Sequence, residues 1–262
     1  MKVALSVSAI LFAASRQTAA ILCLLAQLVP LHQCPAVAAP KDITQMQYEK
    51  GLALRQLGHH SMAIAFLTNV INAKTATTDP NLLARAYESR CDCYIQLEKF
   101  DLAMVDVNKA IALAPKMACA YADRGRLDSE KGDPKQAIVD FTKAIELSNG
   151  KVPFMYYKDR SALYQDSGAD DLAMADLNNV IKMTPENTWA YHCRANLLYK
   201  HGKYKEALAE STKSLQFNPK EEKGAFYQLR AKCYEKLGQH ALAKKDREKA
   251  QSVDDLDWAT RR

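Results

Sequence analysis

Residues 84–115 read ARAYESRCDCYIQLEKFDLAMVDVNKAIALAP, and residues 188–219 read TWAYHCRANLLYKHGKYKEALAESTKSLQFNP. Laid over one another without a gap, both carry Tyr at the fourth place (Tyr87, Tyr191), Arg at the seventh (Arg90, Arg194) and a small residue at the eighth (Cys91, Ala195). Both then carry Ala at the twentieth (Ala103, Ala207), a carboxylate at the twenty-third (Asp106, Glu210) and Pro at the thirty-second (Pro115, Pro219). A coincidence so extended marks an internal repeat, which takes precedence over any local motif in reading the fold.

The same register recurs outward from these two segments. Ala63, Ala103, Ala137, Ala173, Ala207 and Ala243 anchor six segments at spacings of 40, 34, 36, 34 and 36 residues. Twelve places before each anchor stands a small residue (Gly51, Cys91, Gly125, Ser161, Ala195, Ala231), and seven after it another small or β-branched one. Five places before the anchor stands Gly58, Gly132, Gly168, Gly202 or Gly238, with Glu98 as the exception. Glycine there closes one helix and turns the chain into the next. Phe100, Ala103, Met104, Val107, Ala110 and Ile111 then follow a helical period, and Pro115, Pro185 and Pro219 end three of the second helices. Each segment therefore reads as a helical hairpin with more apolar surface than it can bury alone, so neighbours must stack.

These positions resemble the tetratricopeptide repeat, whose pattern is W-x2-L-G-x2-Y, then A-x3-F, then P. The chain keeps Tyr87, Tyr121, Tyr157, Tyr191 and Tyr227 at the tryptophan place, Tyr94, Tyr164 and Tyr234 at the later tyrosine place, the six alanines, and Phe141 at the phenylalanine place. The resemblance covers residues 44–253 and implies an all-α fold, a right-handed α-solenoid of stacked antiparallel hairpins. Six repeats are expected at 44–77, 84–117, 118–151, 154–187, 188–221 and 224–255, with an inserted loop at 75–80 and a tail at 256–262. The last second helix, with Lys244, Lys245, Arg247, Glu248 and Lys249, reads as a polar cap, across which Leu256 and Trp258 are expected to fold back.

The departure from the family pattern is at its leucine place, which holds Arg90, Arg124, Arg160, Arg194 and Arg230. Sixteen residues after each comes Asp106, Asp140, Asp176, Glu210 or Asp246, and the first repeat, with Lys50 and Phe66, lacks both partners together. A structural ion pair between the two helices of each hairpin accounts for this better than an arginine ladder for an anionic ligand. Guanidinium suits the role because its planar fork can hold a carboxylate by two hydrogen bonds.

Residues 1–38 stand apart. Two apolar runs, 3–14 and 19–31, flank Arg16, neither long enough to span a bilayer as a helix, and Ala36-Val37-Ala38 forms a small-x-small site. The expectation is a secretory signal followed by a linker at 39–43, hence export to a periplasm, cell envelope or the outside; an uncleaved leader would anchor the chain in a membrane. The five remaining cysteines, Cys91, Cys93, Cys119, Cys193 and Cys233, are odd in number and lie in helical patterns, where cysteine serves as a small apolar residue.

A net charge of +6 over 262 residues, spread along the chain, gives no continuous basic face for nucleic acid; Glu88, Asp92, Asp166 and Glu235 interrupt it. Histidines His192 and His201 are nine apart and do not share a helix face as metal ligands at i, i+4 would. No nucleophile elbow, phosphate loop or carboxylate pair occurs, so no catalytic residue, metal or cofactor is expected. The resemblance instead implies a concave surface lined by the first helices. Glu88, Asp92, Arg126, Lys158, His192, Asn196 and Lys232 are expected to face it, with Met155, Trp189 and Tyr199 at its edge. The set is acidic toward the N-terminal end and basic and aromatic toward the other, where an acidic segment or a C-terminal carboxylate would fit. The basic clamp by which some members grip a chaperone's C-terminal carboxylate fails here, since Lys158 is followed by Ala162, Cys193, Ala225 and Leu229. The expected function is a non-enzymatic adaptor that binds a protein or extended peptide. The alternatives are a subunit of a membrane-anchored assembly and a helical-repeat RNA binder.

Overall fold

The computed structural model describes residues 43–73, 79–217 and 223–260, and among them the chain is twelve helices with no strand. In order they are α1 (Ile43–Gln56), α2 (His60–Asn72), α3 (Pro80–Gln96), α4 (Phe100–Leu113), α5 (Ala118–Glu130) and α6 (Pro134–Leu147). Then follow α7 (Phe154–Asp166), α8 (Asp170–Met183), α9 (Thr188–Lys200), α10 (Tyr204–Gln216), α11 (Lys223–Lys236) and α12 (His240–Thr260). Odd-numbered helices are the first of each hairpin and even-numbered ones the second. The expected signal at 1–38, residues 39–42 of the linker, most of the 75–80 insertion and Arg261–Arg262 lie outside the described residues.

Two boundaries differ from expectation. The second hairpin starts at Pro80, four residues before the expected 84, because Asp79 caps the helix by accepting a hydrogen bond from the Asn81 amide at 2.9 Å and Pro80 takes the first helical place. At the other end, α12 runs on to Thr260, past residue 255, instead of folding back. Residues 251–260 contain neither Gly nor Pro to stop it.

The turns follow from one backbone device. In the third hairpin Gly132 sits at φ +80°, and the Asp133 amide reaches back to the Asp128 carbonyl at 2.8 Å, satisfying a helix-end acceptor. Glu98 occupies the equivalent place in the second hairpin at φ 57°, a left-handed conformation that costs a residue with a Cβ.

The buried core is a series of clusters, each straddling a hairpin boundary. Tyr48, Ala63, Leu67 and Val70 of the first hairpin pack with Ala86 and Cys93 of α3; Cys91, Ala103, Val107 and Ala110 of the second pack with Ala120 and Leu127 of α5. Phe141 packs with Tyr156 and Leu163 of α7, and Leu177 and Val180 with Ala190 and Leu197 of α9. Gly125 shows why the small place is small: a Cβ there would stand 3.2 Å from the Ala137 carbonyl and from the Phe141 ring.

The arginines tie this packing together. Arg90 donates through Nε and Nη2 to the two oxygens of Asp106 at 2.7 and 2.8 Å; Arg124 binds Asp140, Arg160 binds Asp176 and Arg230 binds Asp246 in the same two-pronged way. Arg194 directs both groups at one oxygen of Glu210, whose other oxygen lies 3.6 Å from Lys213. A third bond escaped the sequence reading. Nη1 of Arg90, Arg124, Arg160 and Arg194 reaches the preceding hairpin, donating to Thr68, Asn108, Thr142 and Asn178 respectively. Tyrosine rings flank the guanidinium as well, Tyr157 and Tyr164 at 5.9 and 5.5 Å from that of Arg160. Each of these four arginines thus bridges three helices.

Candidate functional site

The helical period places one face of successive first helices side by side. Glu88, Asp92 and Ile95 share a face of α3; Cys119, Asp123, Arg126 and Glu130 share one of α5; Met155, Asp159, Ala162 and Asp166 share one of α7. Together they border two adjoining cavities with Arg126 and Met155 common to both. The smaller, about 420 Å³, is lined by Arg55 of α1, Glu88 and Asp92 of α3, Cys119 and Asp123 of α5, and Tyr156 of α7. The larger, about 860 Å³, has an apolar floor of Ile95, Phe100, Leu127, Phe141, Met155 and Leu163. Carboxylates of Glu98, Glu130, Asp159 and Asp166 stand around it.

The charges here are unevenly compensated. Arg126 is shared between Asp123 at 3.3 Å and Asp159 at 3.1 Å, and Arg55 lies 3.4 Å from Asp92. Asp123 is only 5% exposed. Burial and the neighbouring Glu88 and Asp92 push its carboxyl well above the usual range, against the pull of Arg126 and Arg55. Glu88 is also raised, chiefly by burial; Arg55 and a hydrogen bond from the Ser89 hydroxyl at 3.2 Å oppose the shift, and Asp92 adds to it. Burial likewise raises the Cys119 thiol and the Tyr156 phenol, each to about 12, so both stay protonated at neutral pH.

The structure thus brings Glu88, Asp92, Arg126 and Met155 to one site. The remaining expected residues border neither cavity. Lys158 lies over the Trp189 ring at 5.1 Å, and Tyr199 packs on Tyr204 at 5.3 Å between ring centres. His192 stacks on Phe226 at 4.3 Å and faces the Asn196 amide at 3.0 Å, and burial drops its pKa to about 4, leaving it uncharged at neutral pH. Lys232 is exposed on α11. Residues of the site that sequence reasoning missed include Arg55, Asp123, Glu130, Asp159 and the turn residue Glu98; the last carried a signal, being the one break in the glycine column. Cys91, Cys93, Cys119 and Cys233 are free thiols. Among the described residues no group of His, Cys, Asp and Glu converges as a metal site, and no helix is long and apolar enough to cross a membrane.

A family model described as the ETO1 C-terminal domain matches residues 50–258. The chain belongs to that family. Among curated relatives of the ETO1 C-terminal domain chain, Ethylene-overproduction protein 1 of Arabidopsis thaliana is 30% identical over 161 residues, covering 62% of this chain and 16% of that protein. Hsp70-Hsp90 organizing protein 1 of Glycine max is 27% identical over 178 residues, covering 63% of this chain and 29% of its own length. The chain thus spans less than a third of either relative. Among solved structures, YrrB, described as a TPR protein with an unusual peptide-binding site, superimposes with a TM-score of 0.57 at 19% identity, over 65% of this chain and 86% of that one. The architecture is accordingly an all-α helical repeat of the tetratricopeptide type.

Proposed function

We propose that this chain is a non-catalytic adaptor that holds an extended segment of a partner protein on the first-helix face of its second, third and fourth hairpins. The observation that carries this reading is the pair of adjoining cavities, which continue across the first four hairpins and combine an apolar floor with a polar margin. An extended chain presents side chains to such a groove at every second place, so one partner can occupy both cavities. Burial and the neighbouring carboxylates Glu88 and Asp123 hold the Cys119 thiol protonated, as burial does the Tyr156 phenol, which supports binding over chemistry. Export is part of the proposal and rests on the apolar leader at 1–38; a mature chain starting at Ala39 would support it, and an intact Met1 on membrane-bound material would favour the anchored alternative.

A photo-crosslinking amino acid placed at Ala162, inside the groove, tests the binding face against the same group at Val139, which is exposed on a second helix. Adducts in the native compartment are expected from position 162 and not from 139. Equal yields at the two positions, or adducts only from 139, would overturn the assignment.

A further inference from the structure

The charge around the larger cavity runs against local electrostatics. Helices α3, α5 and α7 end there, and the negative ends of their dipoles lie at the opening. Helix ends of this kind favour Lys or Arg in the last turn, as α1 has in Arg55, α9 in Lys200 and α11 in Lys236. The three helices at the cavity have no basic residue in the last turn. They carry Glu98, Glu130 and Asp166 at or just past their ends, and among the described residues none of these three forms an ion pair. The smaller cavity adds Glu88, Asp92 and the buried Asp123. Among the described residues that line the two cavities, the cations set against these carboxylates and Asp159 are Arg55 and Arg126, in a chain whose overall charge is +6.

On the adaptor reading above, we infer that this groove selects a partner-protein segment bearing several Lys or Arg side chains along an apolar stretch. The apolar residues would cover Leu127, Met155 and Leu163, while the cations supply the charge that the three helix ends lack. A chain with spaced cations fits better than one compact ion, because no set of these carboxylates converges closely enough to hold a metal. Nucleic acid is repelled by the same field. A buried Asp123 costs the free protein stability, which an incoming cation would offset.

The test uses the full-length chain and a bead-displayed library of random dodecapeptides, sorted at low salt. Recovered peptides are expected to be enriched in Lys and Arg at two or more places, with affinity falling steeply as NaCl rises, since exposed charges are screened within ~10 Å at 0.1 M and ~3 Å at 1 M. Substituting the exposed Glu98→Gln, Glu130→Gln and Asp166→Asn together should weaken the best peptide about tenfold. The corresponding Lys substitutions should shift the recovered set toward Asp and Glu. Circular dichroism confirms that the variants stay folded. Spermidine competing as well as the peptide, or a wild-type set without basic enrichment, would overturn the inference. An Ala162→Trp variant separates the two readings. If it blocks non-basic peptides, the groove stands and its charge preference falls; if it blocks nothing, both fall.

Discussion

Arg160 and Asp176 offer the sharpest test of what holds the hairpins together. Their side chains are 14% and 4% exposed, and the two bonds between them are both 2.8 Å. Arg160→Leu removes both bonds, strands a buried carboxylate and deletes the bond to Thr142 in the preceding hairpin; breaking a buried pair from one side costs ~3–5 kcal/mol. Asp176→Leu should cost less, about 2 kcal/mol, because the guanidinium keeps Thr142, two tyrosine rings and some solvent. The double change to Leu buries two apolar groups where two charges were desolvated, and should fall below Arg160→Leu alone, at ~1–2 kcal/mol. The coupling in the cycle is then at least about 3 kcal/mol. Urea denaturation followed by circular dichroism is the assay, urea being uncharged and leaving ion pairs unscreened. A coupling under ~0.5 kcal/mol, or a double variant no more stable than Arg160→Leu, would refute the reasoning.

Three further outcomes follow from named contacts. Asp123→Asn should melt higher than wild type at pH 7. Its folded pKa is raised above the unfolded value, so the penalty is full above the folded pKa and disappears as pH falls through it toward the unfolded one. The advantage should therefore shrink with acidification, and a lower melting temperature at pH 7 would contradict the burial argument. Glu98→Gly should stabilise by ~1 kcal/mol, a rise of about 2–4 °C in a chain of this size, by relieving a left-handed conformation; an unchanged Tm would rule that out. Gly125→Val should destabilise by ~1–3 kcal/mol in denaturant titrations, since even its Cβ meets the Ala137 carbonyl at 3.2 Å; neutrality would show that α5 and α6 can part without cost.

The hairpins were legible because their grammar is local. Gly132 and its equivalents, the anchor alanines and Pro115 each act within a few residues, so their order along the chain already states where helices stop and which faces are apolar. The arginine–carboxylate spacing was legible for a similar reason: a break shared by both partners in the first repeat links Arg160 to Asp176 without coordinates. The third arm, to Thr142, was written only as an alternation of Thr and Asn five places after the first five anchors, and its meaning depends on how neighbouring hairpins pack. His192 and Trp189 show the limit on the site side. Their places on the helix were readable, but Phe226 and Lys158 come from other hairpins and take up the faces that looked free.

Composition and period alone determined an all-α stack of six hairpins with no motif for chemistry, because helix propensity, turns and small-residue columns are properties of short segments. Tertiary structure decided which carboxylates lose their water and which cations reach them. Asp123, Glu88 and Glu98 are ordinary acids in the sequence; they become neighbours of one groove only when α3, α5 and α7 are set side by side, since desolvation and Coulomb interaction depend on distance in space and not on separation along the chain.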